Sequence, residues 1–291
     1  MNWEVQTMPS KTSFCNGTEF RKCLSRWWPL WIIYGVILFI LLPGVLLNAR
    51  TTTPYMTTPY VSTEQIGYLS NVILSETQML LPLTAFCAGL LAAAAMFGYL
   101  YTPRGAGLAA SLPIRRGCMF RTHLLAGLLM LLSAEVVVFG LAVLIEATRF
   151  ELVIEPLLIW LGVLALETVV FYGIAVLCAM FTGHVVMLPC LYLLVNFIAV
   201  GFQLLVEAVL YMFVYGMSGM VDLPVDWLSP LVLFMRRTSV GHADLVRPIS
   251  GTGAEVAIAN FSGWIYPLVW AVFALLLLVC AGQLYRRRRM E

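Results

Sequence analysis

Charge is what this chain lacks. Asp, Glu, Lys and Arg make up 11% of its 291 residues, whereas a soluble domain carries roughly a quarter. Lysine is nearly absent, with Lys11 and Lys22 alone. Neither sits in a G-x-x-x-x-G-K-[ST] loop, so no nucleotide site is expected in this chain. Cys15, Cys23, Cys87, Cys118, Cys178, Cys190 and Cys280 form no C-x-x-C pair, and no His/Cys spacing suits zinc. Their odd count, with none in an expected outer loop, argues against a disulfide framework; they read as small apolar filler. There is no Thr-Val-Gly-Tyr-Gly filter and no arginine ladder on a helix, which weighs against a channel. No internal repeat of about 20–50 residues is evident.

Apolar residues are abundant, at 61%, and they arrive in blocks of about 20 or more, enough to cross a bilayer as helices. The expected fold is an all-α membrane protein with six spans: Trp28–Leu47, Met79–Tyr101, Met119–Ile145, Leu157–Phe181, Val185–Phe213 and Trp264–Leu284. Residues 1–27 form a cytoplasmic segment, 28–284 the six-helix membrane domain and 285–291 a basic cytoplasmic tail. From Phe14 to Trp27, Phe14, Phe20, Leu24 and Trp27 oppose Glu19, Arg21, Lys22 and Arg26, the pattern of a helix on the membrane surface. Trp27, Trp28 and Trp31 mark an interfacial belt. Charges precede the first apolar block and no small-residue cleavage site follows it, so that block is expected to be a retained span.

Orientation follows from the basic residues. With both ends inside, Lys11, Arg21, Lys22, Arg26, Arg104, Arg115, Arg116, Arg121 and Arg286 to Arg289 are cytoplasmic, which is 12 of 17. Arg50, Arg149, Arg236, Arg237 and Arg247 are left outside, in keeping with the positive-inside rule. The terminal arginine run, directly after a span, reads as an anchor rather than a nucleic-acid contact. Outside, Asn48–Gln78 opens with Thr52-Thr53-Pro54-Tyr55 and Thr57-Thr58-Pro59-Tyr60, expected to be extended. Met217–Gly263 is a long outer segment in which Asp226 to Phe234 has the pattern of a short helix dipping into the outer leaflet.

The inner loop from Tyr99 to Gly127 is the most informative stretch. Ser111 is suited to capping a helix whose first turn accepts Pro113. From Pro113 to Ile145 no breaker interrupts the apolar pattern, giving a helix of about 50 Å against a hydrocarbon core of about 30 Å. It should project into the cytoplasm carrying Arg115, Arg116 and Arg121.

Ser111-Leu112-Pro113-Ile114-Arg115-Arg116-Gly117-Cys118-Met119-Phe120-Arg121-Thr122-His123-Leu124-Leu125-Ala126-Gly127 resembles the SLP-[IV]-x-R-x-x-[LM]-F segment of bacterial ABC transporter permeases of the type-2 exporter class. The layout is similar too: an N-terminal surface helix, six spans, and a long outer loop between the fifth and sixth. Ala110 departs from the pattern, since many relatives carry a polar or aromatic residue there. The resemblance implies a permease in a bacterial cell membrane, without covalent chemistry or a metal or cofactor of its own. It would pair with itself or a sister permease, and a separate ATPase would hold ATP and Mg. That partner would dock on a coupling helix, here Arg104, Leu108, Ser111, Leu112, Pro113, Ile114, Arg115 and Arg116. A sensor or immunity protein using the same helices only for binding is the competing class.

Two other features stand out. Glu135 and Glu167 lie about 16 Å below the outer boundary on successive antiparallel helices. A carboxyl at that depth costs a few kcal/mol, so it should face a partner, a wet cavity or the bundle interior. They are either a polar spot on a transport route or dimer seam, or protonated carboxyls bonded to a neighbouring helix. Asn196 and Gln203 are expected to bond between helices. Gly216-Met217-Ser218-Gly219 matches the G-x-S-G of a rhomboid-type protease. That chemistry requires a histidine on a later membrane helix. The last span has none, His242 lies in the outer loop, and His123 and His184 lie at inner helix ends.

Overall fold

The computed structural model describes residues 15–47, 63–111, 114–149, 154–213, 224–241, 246–248, 255–257 and 260–287. Six helices are long and apolar enough to cross a membrane. The helices are α1 (Gly17–Phe39), α2 (Thr63–Phe97), α3 (Pro103–Ser111), α4 (Arg116–Arg149), α5 (Ile154–Phe181), α6 (Met187–Phe213), α7 (Pro230–Arg237) and α8 (Ile265–Arg287). The chain is a polytopic helical protein of the membrane type.

α1 is one helix with a fault in it. Trp27 departs from helical geometry (φ −107°, ψ 16°) two residues before Pro29. Proline lacks the N–H for the bond to residue i−4 and its ring presses on that carbonyl, so the helix bends there. The bend falls where the amphipathic pattern of residues 14–27 gives way to apolar sequence. Upstream, the Asn16 side chain caps the helix by accepting from the N–H groups of Thr18 (3.1 Å) and Glu19 (3.4 Å). Downstream, a π turn at Ile40–Gly44 contains Pro43 and continues the span toward Leu47.

α5 is the central helix. Its apolar window is 78% buried, against 11% for α6, and it packs most extensively on α2 and α8. With lipid as solvent, helices associate through close van der Waals fit, and small residues permit that fit. A Cβ placed on Gly89 of α2 would stand 2.8 Å from the backbone nitrogen of Tyr172 in α5. One on Gly173 would stand 3.1 Å from the Cβ of Ala274 in α8. Ala92, Ala93, Ala175, Ala179, Ala274 and Ala281 are all fully buried along these seams.

Three expectations need correcting. The outer loop Asn48–Gln78 is partly helix, because α2 begins at Thr63. Polar residues such as Glu64, Gln65 and Asn71 do not stop a helix, and no proline interrupts the run until Pro82. Ser111 does not cap the third span. It ends the separate helix α3, where its hydroxyl donates to the Leu108 carbonyl (2.9 Å). The capping signature is met earlier, by Thr102 and Pro103: the Thr102 carbonyl accepts from Ala106 N–H at 2.9 Å, with proline in the first turn. α4 then starts at Arg116 rather than Pro113 and runs for 34 residues, about 50 Å.

The segment before α8 folds back among the spans. A 3-10 turn at Pro224–Leu228 leads into α7, as the pattern over Asp226 to Phe234 predicts. Phe234 meets Phe171 edge-on with centroids 5.7 Å apart. Phe171 lies near the middle of α5, so α7 lies beside the membrane helices and not beyond their ends. Asp226 closes the fold-back: its carboxylate lies 3.4 Å from Arg236 and 3.7 Å from Arg237. Two short antiparallel ribbons follow, β1 (Ser239–Gly241) with β4 (Asn260–Ser262) and, inside them, β2 (Val246–Pro248) with β3 (Glu255–Ala257). β1 and β3 lie against α2. The Thr-Thr-Pro-Tyr repeats, Arg50 and Arg288 to Met290 lie outside the described residues.

Candidate functional site

One end of the bundle gathers the basic residues. Asn16 N–H donates to Thr122 Oγ1 (3.1 Å), and the hydroxyls of Tyr99 and Tyr285 meet at 2.9 Å. Tyr101 reaches Thr182 at 3.3 Å, and the Arg286 side chain passes over Gly117. The starts of α1, α4 and α6 and the ends of α2, α5 and α8 therefore share this end. It carries Arg21, Lys22, Arg26, Arg104, Arg115, Arg116, Arg121, Arg286 and Arg287, all from the group that the charge asymmetry leads one to expect on the inner side.

α3 stands at this end between two membrane helices. Arg104, Leu108, Ser111, Arg115 and Arg116 are exposed, Leu108 by 70%, and Ile114 is half-buried. Leu112 and Pro113 lie outside the described residues. Beside α3 opens a cavity of about 1300 Å³ lined by Arg21, Arg26, Tyr99, Leu108 and His123 among others. His123 is nevertheless engaged: its Nδ1 lies 3.3 Å from Cys23 Sγ, and its ring stacks beside Tyr99 at 4.8 Å.

The second site is inside the bundle, and here the structure brings the two singled-out carboxyls together. Glu135 on α4 and Glu167 on α5 are both fully buried and within electrostatic reach of each other. Tyr34 of α1 donates to Glu135 Oε1 at 3.0 Å, and Thr168 of α5 donates to the same oxygen at 2.7 Å. Glu135 Oε2 and both oxygens of Glu167 have no hydrogen-bond partner among the described residues. Nearby along the same helices, Trp31 Nε1 donates to Ser133 Oγ at 3.0 Å. Two carboxyls, a phenol and a threonine hydroxyl thus meet where α1, α4 and α5 join. Such an array is costly to keep fully ionised, because unpaired negative charge is unfavourable in an apolar medium.

Tyr34 and Thr168 were not singled out by the sequence reading. Thr168 is adjacent to Glu167, a polar pair in an otherwise apolar helix, which was a usable signal. Tyr34 gave none, since one tyrosine among Trp, Ile and Leu reads as ordinary span. Asn196 and Gln203 need correction as interhelical bonds. Asn196 Nδ2 donates to Tyr192 O (2.9 Å) and Gln203 Nε2 to Glu207 Oε1 (2.9 Å), both inside α6. A partner four residues away is nearer than any on another helix when a helix is as loosely packed as α6. For the protease pattern, Ser218 and His242 lie outside the described residues, and His184 sits in the exposed turn between α5 and α6.

No group of three or more metal-ligating side chains occurs among the described residues. No family model matches the chain and no curated protein matches it, so a functional reading rests on the six-helix bundle and these two sites.

Proposed function

We propose that the protein is the membrane-spanning permease subunit of an ATP-driven exporter in a bacterial cell membrane, coupled to ATP hydrolysis on a separate ATPase. The observation that carries this reading is α3, a short helix set between two spans at the arginine-rich end, presenting an exposed Leu108. A helix there, flanked by Arg104, Arg115 and Arg116, offers a partner an apolar contact inside a charged rim. The fold-back of α7 between the fifth and sixth spans also fits the layout that the sequence resembles.

In this reading the chain does no covalent chemistry. ATP and Mg belong to the partner, and the permease works as a homodimer or with a sister subunit. Closure of the ATPase pushes on α3, and α4, rigid over its whole length, carries the displacement into the bundle. Work is done because the inward- and outward-facing states differ in their contacts with the ATPase.

The test is co-purification with an ATPase encoded beside this gene, followed by ATP turnover in the same detergent. Leu112→Asp should weaken capture by roughly 30-fold or more, the effect of losing an interface anchor of about 2 kcal/mol. Arg116→Ala should only weaken capture and should do so in a salt-dependent way. Full capture and normal turnover by Leu112→Asp would remove the main support for the exporter.

A further inference from the structure

The carboxyl pair carries an inference that needs neither a partner nor the exporter reading. Glu135 and Glu167 are fully buried in helices that cross the membrane. The charged and titratable groups facing them are few. α1 contributes Tyr34, α4 contributes Glu135 and α5 contributes Glu167, with the neutral Thr168 beside it. Among the described residues no basic side chain contributes to the surroundings of either carboxyl. Two anions within electrostatic reach of each other and without a cation are costly in so apolar a place.

The hydrogen bonds say where positive charge goes. Both hydroxyl donors converge on one oxygen, Glu135 Oε1, and leave Oε2 without a partner. Oε1 already accepts twice and is the poorer place for a hydrogen, so a proton taken up by Glu135 sits on Oε2. Glu167 presents two further unpartnered, buried oxygens within reach.

From this arrangement we infer that Glu135 and Glu167 form a proton-binding site within the membrane, holding an exchangeable proton on the unpartnered oxygens. Binding one proton lowers the charge of the pair from −2 to −1, and the second carboxyl takes another when the site is closed to water. Tyr34 reaches the pair from a different helix, so the proton count is tied to where α1 stands. Any movement of α1 away from α4 and α5 removes a donor from Glu135 and changes that count.

Infrared spectroscopy of the purified full chain in lipid nanodiscs reads this directly. The wild type should show a protonated-carboxyl C=O band that shifts in D₂O and fades reversibly as pH rises. Glu135→Gln and Glu167→Gln should each remove part of that titrating band. Tyr34→Phe keeps both carboxyls, so it serves even if a Gln variant fails to fold. With one donor lost, its band should move to higher frequency. A band absent from the wild type, or one insensitive to both pH and D₂O, would overturn the inference. So would loss of the band on adding sodium chloride but not choline chloride at fixed pH, which would assign the site to a metal cation.

Discussion

Tyr34 and Glu135 are joined by a 3.0 Å hydrogen bond across 101 residues of sequence. The bond ties the first span to the third at a point where neither side chain is exposed by more than 4%. Thr168 bonds the same carboxyl oxygen from the fourth span, so one atom of Glu135 holds three helices. In a bundle where apolar surfaces gain little by touching one another instead of lipid, such a shared acceptor sets which helices meet.

Removing that bond should therefore cost stability. Tyr34→Phe is expected to destabilise the bundle by about 0.5–1.5 kcal/mol, since Thr168 still serves the same oxygen. Thr168→Val should act similarly, and the double variant should exceed the sum, because only then is the buried oxygen left without a donor. Thermal melts in detergent followed by circular dichroism measure all three. Additive losses would show that the two hydroxyls act independently.

Gly89 makes a second prediction, on packing. Its missing Cβ would meet backbone, at 2.8 Å from Tyr172 N and 2.9 Å from Phe171 C, and backbone cannot rotate aside. Gly89→Ala should force α2 off α5 and cost about 1–3 kcal/mol. Gly127→Ala meets the Tyr172 hydroxyl instead. That side chain is fully buried and would give up its 3.2 Å bond to the Leu124 carbonyl, so Gly127→Ala should destabilise as well. A Gly89→Ala variant that melts with the wild type would contradict the seam described for α2 and α5.

Asp226 holds the fold-back. Its carboxylate is 8% exposed, while Arg236 and Arg237 are about half exposed. Asp226→Asn keeps the shape and removes the charge that both arginines face. Limited proteolysis should then cut within residues 224–263 faster than in the wild type, while the six spans stay resistant. Unchanged cutting would mean that the apolar contacts of Leu231, Leu233 and Phe234 hold α7 by themselves.

Topology can be checked independently of function. In a cysteine-free background, single cysteines at Thr58 and Ser250 should react with an impermeant thiol reagent in intact cells. Cysteines at Ala106 and Met290 should react only after the membrane is opened. Labelling of Ala106 from outside would invert the placement of α3 and its arginines.

Hydropathy by itself determined that there are six helices long and apolar enough to span, because a bilayer demands a fixed apolar length and internal hydrogen bonding from every segment. It did not determine where each begins, since α2 starts at Thr63. The switch from amphipathic to apolar sequence at Trp27 was legible, as was α7 from its apolar run, but the bend that Pro29 puts into α1 was not read. The depths of Glu135 and Glu167 could be counted along their helices, and that was enough to single them out. What could not be read was which helices touch. In lipid the apolar face of a span looks the same toward a neighbour as toward an acyl chain, so the centrality of α5 and the exposure of α6 left no mark in the sequence. Tyr34 illustrates the point: only packing brings a tyrosine of α1 to a carboxyl of α4. The inner loop shows the converse limit. Ser111 and Pro113 carry the local chemistry of a helix start, yet Ser111 closes α3 and α4 begins at Arg116, while Thr102 and Pro103, where α3 opens, were not read as a start.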